Sequence, residues 1–273
     1  MVSVEPVETI IKTVLASGKL KDERPLSCII IAPVECGKTS VIRKYCLKSE
    51  NVFYTTDATA YGIIRDSNEL QDFARDNGKI THIVIPDLLS CLGRKQDTVR
   101  TFVTFMNSLI EEGVVNISTY AVKLKTKPEI NEVKAGFITA IPPDPFRDKR
   151  HSWTSIGFLS RALPVSFDYR ISTRVEILNS IMNQEHLGQA VERLNLPKEE
   201  KSIVLPFDMA QKIQPYVAVL ASASRSYGFR YQRQLQAFAK AIALLKDKEK
   251  VDMECIEELA RLANYINLDG HMI

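Results

Sequence analysis

A lysine and a hydroxyl side chain following a glycine, at the mouth of an apolar strand, are the residues whose types and spacing most plainly suit chemistry. Ile29, Ile30 and Ile31 run into Ala32, and then Pro33, Val34, Glu35, Cys36, Gly37, Lys38, Thr39 and Ser40 follow. A tight turn of this kind directs backbone N–H groups inward, where they hold phosphate oxygens, and the helix after it adds the positive end of its dipole. The spacing predicts a phosphate-binding loop over Pro33 to Ser40, with Lys38 reaching the β- and γ-phosphates of a nucleoside triphosphate and Thr39 a ligand of Mg²⁺. Ala32 stands where the usual pattern G-x-x-x-x-G-K-[ST] has its first glycine, which an alanine tolerates at negative φ. The competing reading is an ordinary strand-to-helix turn that happens to contain Gly-Lys-Thr. The strand before the turn and the helix-like Val41 to Leu47 after it favour the loop.

A second group of residues would complete such a site. Asp87 follows Ile83-Val84-Ile85-Pro86, where an acid beside a phosphate loop holds the Mg²⁺ shell. The residue after it is Leu88, so the glutamate that would polarise an attacking water is missing from its usual place. Glu111 and Glu112 read as solvated helix-end charges, although either could stand in as a base. Thr139, in Gly136-Phe137-Ile138-Thr139, is read as lying at the carboxyl edge of the sheet, either as a sensor of the γ-phosphate or as a β-branched residue chosen for packing. His82 is a strand histidine of the structural kind.

These residues need elements to carry them. Val4 to Leu15 reads as an amphipathic helix, and strands are predicted at Leu26 to Ala32, Asn51 to Thr55, Ile80 to Ile85, Val114 to Leu124 and Ala135 to Ile141. A helix from Asp97 to Glu112 falls among them, and Pro142 to Trp153 reads as a proline- and charge-rich loop. The alternation predicts an α/β fold with a doubly wound, mainly parallel sheet. Beyond about Thr173 the pattern turns helical, through Val175 to Leu194, Asp208 to Ser222, Tyr231 to Leu245 and Met253 to Tyr265. A nucleotide-binding domain over 1–172 and a small all-α lid domain over 173–273 are therefore expected, and 273 residues with 45% hydrophobic content suffice to bury both.

Bulk properties narrow the partners. A net charge of +3 is too mild to establish nucleic-acid binding. The basic residues nevertheless gather toward the C-terminus, where Arg225, Arg230, Arg233, Lys240, Lys246, Lys248 and Lys250 outnumber Asp247 and Glu249. Lys123, Lys125 and Lys127 alternate near the end of an expected hairpin arm, suiting either a phosphate backbone or a strand edge guarded by lysine. Five cysteines with no C-x-x-C pair predict a reducing, cytoplasmic setting. Met1 to Ser17 lacks the pattern of a secretory leader, and no run of apolar residues is long enough for a membrane span.

The order of phosphate loop, acidic strand end, sensor strand, Leu159-Ser160-Arg161 and then Arg233-Gln234-Leu235-Gln236-Ala237 resembles the AAA+ ATPase family. Leu159-Ser160-Arg161 is similar to the arginine-finger segment of the minichromosome-maintenance helicases. Arg233-Gln234-Leu235 is similar to the start of their sensor-2 helix, with Val251-Asp252 opening a last lid helix. The likeness runs from about Leu26 to Leu268. Ala32, Leu88 and Ala162 depart from it, and no helicase-specific domain precedes the core. The resemblance implies a P-loop NTPase core with a helical lid, Mg·ATP as cofactor, and a homo-oligomeric ring, hexameric or similar. It implies Arg161 acting across a subunit boundary and Arg233 contacting the γ-phosphate in cis, against the plainer reading of each as a surface arginine paired with an acid. The expected function is an ATPase that remodels DNA or a DNA-bound protein. Two alternatives stay open, a non-hydrolysing nucleotide-binding scaffold and a protein-remodelling ATPase with no nucleic-acid partner.

Overall fold

The computed structural model describes residues 4–65, 80–114, 116–118, 123–125, 134–184 and 191–268. The strands are β1 (Cys28–Ile31), β2 (Val52–Tyr54), β3 (His82–Ile85), β4 (Asn116–Ser118), β5 (Lys123–Lys125), β6 (Gly136–Ile141) and β7 (Leu163–Ser166). The helices are α1 (Glu5–Ser17), α2 (Lys38–Cys46), α3 (Ala60–Arg65), α4 (Leu89–Leu92), α5 (Gln96–Asn107), α6 (Pro143–Ser155), α7 (Ile171–Met182), α8 (Phe207–Ser224), α9 (Phe229–Leu245) and α10 (Met253–Ala263). A π-helical turn, Ser108–Glu112, extends α5, and a 3₁₀ turn, Leu159–Arg161, precedes β7.

Five strands form one all-parallel sheet in the order β2-β3-β6-β1-β7. β1 and β3 are buried throughout, as expected of strands covered on both faces. Ile30, Val84, Ile138 and Val165 pack on one face with α1, α2, α9 and α10, while Ile29, Ile83, Phe137 and Ile141 pack on the other with α5, α6 and the 3₁₀ turn. Travel from β1 to β2 runs one way over the first face, and the described helices of the later crossovers, α3, α5 and α6, lie on the second as the chain runs back. Right-handed crossovers require that division. The expected parallel α/β sheet is therefore present. The hairpin strands β4 and β5 pair antiparallel, Ile117 opposite Leu124, and Lys127 lies outside the described residues.

The C-terminal helices share a single apolar cluster with α1 and the first sheet face, from Ile10 and Ile30 to Phe238 and Leu259. Helix α7 is shorter than its pattern suggests, ending at Met182, with Gln184 in the left-handed region at φ 58°. The stretch from Pro142 to Trp153 is not a loop. Pro142 caps α6 and Pro143 opens it, positions where the missing N–H costs nothing. Phe146 and Trp153 are buried on that helix, and Trp153 meets Phe158 edge-on at 5.2 Å. The aromatic contacts outweigh the loop-like composition.

Candidate functional site

Because the sheet is parallel, the residues that follow each strand gather at its carboxyl edge. The loop after β1 emerges there between β6 and β7. Gly37 is left-handed at φ 79° and is the residue before α2. Glu35, two residues earlier, is also left-handed at φ 66°, a strained conformation for a side chain with a Cβ. Helix α2 has no side-chain cap, and no backbone oxygen accepts from the N–H groups of Gly37, Lys38 or Thr39 among the described residues. An uncapped helix start joined to a left-handed turn is an anion-binding concavity.

Lys38 folds across the mouth of this loop. Its Nζ donates to the Ala32 carbonyl at 2.6 Å and to that of Pro33, and lies 3.8 Å from Cys36 Sγ. An ammonium with only neutral acceptors is poorly compensated, and a phosphate oxygen would bind it more strongly. Burial raises the Cys36 thiol above its ordinary value, against the pull of the Lys38 cation. Thr39 and Asp87 are both exposed. Asp87 Oδ1 accepts from the Leu89 N–H at 3.0 Å, and Ser90 Oγ, donating to the Thr56 carbonyl at 3.1 Å, ties this strand end to that of β2. Mg²⁺ in phosphate sites takes few protein ligands and completes its octahedron with phosphate and water. A hydroxyl and a carboxylate at one sheet edge fit that requirement. Among the described residues no helix is long and apolar enough to cross a membrane.

Tyr169 is a residue the sequence reading missed. It follows β7, and its hydroxyl donates to the Cys36 carbonyl at 2.6 Å, pinning the loop from the neighbouring strand. Burial pushes its phenol up to about 12, so it remains a donor. The only sequence signal was a polar-tipped aromatic just past a strand end.

Other predicted residues sit elsewhere. Thr139 is not the last residue of its strand, because β6 runs on to Ile141, although Ile85, with which it is level, closes β3. Thr139 is also level with Ile29 and wholly buried, its hydroxyl without a partner among the described residues. Leu88 is buried at 1% exposure, its N–H donating to the Ala140 carbonyl at 2.9 Å. Glu111 and Glu112 are carried by α5 and its π-turn back to the amino edge, so neither reaches the loop as a base. Glu111 is no solvated helix end: Arg24 lies 3.0 Å from it, Arg230 3.7 Å and Arg233 3.9 Å. His82 opens β3 at that same edge, fully buried, its Nδ1 2.8 Å from Thr81 Oγ1.

Arg161 and Arg233 also belong to the amino edge. Arg161 stands two residues before the start of β7, and Arg233 stands in the first turns of α9. Both line a cavity of about 130 Å³ with Leu26 and Ser27, the residues that lead into β1. Arg161 does not project outward. Its side chain is 9% exposed, donating to the Gly157 carbonyl at 2.8 Å and pairing with Glu112 at 3.3 Å. Burial, followed by the neighbouring Arg230 cation, lowers it from the ordinary guanidinium value. Arg233 is exposed, on the far side of the sheet from the loop of its own chain. The cis contact to a γ-phosphate expected of it is therefore corrected. The reason is strand direction: residues before β1 and residues after it lie at opposite ends of the same strand.

No family model matches the chain, and no curated protein matches it.

Proposed function

We propose that this protein binds Mg·ATP at the loop Pro33 to Ser40, as an AAA+-type P-loop ATPase with a helical lid, and couples nucleotide state to the remodelling of nucleic acid or a nucleic-acid-bound protein. The observation that carries the reading is the uncapped start of α2, with left-handed Gly37 before it and the Lys38 ammonium poised over the turn. Thr39 and Asp87 hold the metal, which neutralises phosphate charge when bound. The strand order, with β1 inside the sheet and β6 between it and the acid-bearing β3, supports this division of labour.

Arg161 and Arg233 share the opposite edge, so in this reading the phosphate they address is that of a second copy in a homo-oligomeric ring. Arg161 must first leave Glu112 and Gly157 to do so. Titration of a fluorescent ATP analogue, with and without Mg²⁺, tests the binding reading; affinity unaltered by Lys38→Ala rejects it.

The non-hydrolysing scaffold is favoured by a specific observation of its own: Leu88 is buried where the glutamate is missing, and both alternative glutamates are held at the amino edge. Steady-state phosphate release separates the two. Turnover that is slow and lost in Asp87→Asn supports the ATPase, whereas tight binding with none supports the scaffold.

A further inference from the structure

The turn between α8 and α9 displays two aromatic rings in full view of solvent. Tyr227 is 92% and Phe229 76% exposed, and the rings lie nearly parallel, 15° apart with centroids at 5.8 Å. Gly228 between them is left-handed at φ 80° and packed so closely on α8 that a Cβ would press on Ala221 and Val217 at 3.0 and 3.1 Å. The turn is further fastened by Ser226 N–H to the Ala221 carbonyl at 2.9 Å and by the Ser224 and Ser226 hydroxyls, 2.9 Å apart. Large aromatic surface left in water on a braced backbone is a feature of binding sites.

The charge around the turn specifies the occupant. Between Asp208 and Asp247 the chain contains six basic residues and no acidic one. Lys240 and Lys246, farther along α9, are matched by Glu23 and Glu254. Nearer the turn the balance fails. Arg225 is exposed, at φ 51°, with no ion pair among the described residues. Arg230 and Arg233 share the single carboxylate of Glu111 with Arg24. An acidic peptide satisfies the charge but offers no flat faces for the rings, and an apolar protein surface satisfies the rings but strands the arginines. A chain of phosphates bearing unpaired bases satisfies both.

We propose that the segment Arg225 to Arg230 docks single-stranded nucleic acid, bases stacking on Tyr227 and Phe229 and phosphates lying against Arg225. The proposal shares only its nucleic-acid partner with the ATPase reading. It is therefore tested without nucleotide, and a failure of ATP binding leaves it untouched.

The test is fluorescence anisotropy of a labelled oligothymidylate of about twenty nucleotides, long enough to cover one stacking site, with the full chain at low salt. Tyr227→Ala with Phe229→Ala should weaken binding about 30-fold, within the range for loss of two stacked bases. Tyr227→Trp should retain binding, and both side chains are exposed enough for thermal melting to be unchanged. Arg225→Glu should weaken binding and lower the slope of log affinity against log salt by about 1. Polyglutamate and a duplex of the same length should bind more weakly than the single strand and should not respond to loss of the rings. Unaltered oligothymidylate affinity in the double alanine variant overturns the proposal. So does polyglutamate, duplex or an anionic vesicle binding as tightly as the single strand, or a change of oligomeric state as the sole effect of removing the rings.

Discussion

The two edges of the parallel sheet handle charge in opposite ways. Among the described residues, Lys38 at the carboxyl edge has only carbonyl oxygens and a thiol within reach, Asp87 keeps one carboxylate oxygen without a partner, and the start of α2 has no side-chain cap. At the amino edge Arg161 is buried against Glu112, and Glu111 is shared among three arginines. At the first edge a cation and a carboxylate face no opposite charge among the described residues, whereas at the second the formal charges are paired, although Arg161 Nε, His82 Nε2 and Gln234 Oε1 are buried there without a partner among the described residues. Unpaired charges at a strand end are open to a ligand, and paired ones in a cavity hold structure until something competes for them. The contrast predicts that substitutions at the carboxyl edge change ligand binding with little effect on stability, and substitutions at the amino edge the reverse.

Acid titration should give the largest effect, and it belongs to the amino edge. Burial holds the His82 imidazole neutral, lowering it to about 4. In the unfolded chain it titrates near 6.5. Below about pH 6.5 the unfolded state therefore takes up a proton that the folded state refuses, and stability falls by about 1.4 kcal/mol per pH unit until about pH 4, where it levels off. The total is about 3 kcal/mol. Urea titrations across that range should show the slope in the wild type and lose this part of it in His82→Gln.

Lys38→Ala is the matching test at the other edge. It should lower ATP affinity about 100-fold, the worth of a charge-assisted contact to phosphate, while the melting temperature stays unchanged. A drop in stability without a drop in affinity would reverse the assignment of the two edges.

Arg161→Ala should do the opposite, costing about 2 kcal/mol of stability through the space left by a buried side chain and the lost bond to the Gly157 carbonyl, with ATP affinity of the monomer intact. Turnover distinguishes more. If Arg161 serves a neighbouring copy, mixing Arg161→Ala with Lys38→Ala subunits restores some activity at interfaces pairing an intact loop with an intact arginine. No rescue in demonstrably mixed oligomers leaves Arg161 a structural arginine only.

The smallest expected effect concerns the loop's own strain. Glu35→Gly should stabilise the fold by about 1 kcal/mol, because glycine adopts a positive φ without the Cβ penalty, and should also tighten phosphate binding by removing a negative charge from the loop. Differential scanning calorimetry and nucleotide titration on the same sample check both halves.

How much of this was legible depended on range. Ile29 to Ser40 reads directly as strand, loop and helix, because the apolar run, Gly37 and the helical pattern after Lys38 are local signals. The place of Asp87 just past the end of β3 was legible for the same reason, as the first acid after an apolar strand. Thr139 was misplaced because β6 continues through Ala140 and Ile141, and a β-branched residue carries no mark of where its strand ends. Pro142 to Trp153 was misread because prolines open helices as readily as they break them, and what decided between the two was the burial of Phe146 and Trp153.

By itself the sequence determined the parallel α/β class, the strand, turn and helix over Ile29 to Ser40, and the gathering of basic residues after Asp208, all of which follow from neighbours a few positions apart. Only the tertiary structure decided which of these meet. Arg161 and Arg233 belong to the edge opposite Lys38 because β1 lies between β6 and β7 and all the strands of the sheet point one way. Across a four-residue strand at roughly 3.3 Å per residue that separation is about 13 Å. Motif order along the chain survives any strand order, but distance across a sheet does not. The Tyr169 clamp on Cys36 and the sharing of Glu111 among Arg24, Arg230 and Arg233 join residues more than eighty positions apart. No local pattern specifies such pairs; burying both faces of the sheet brings them together.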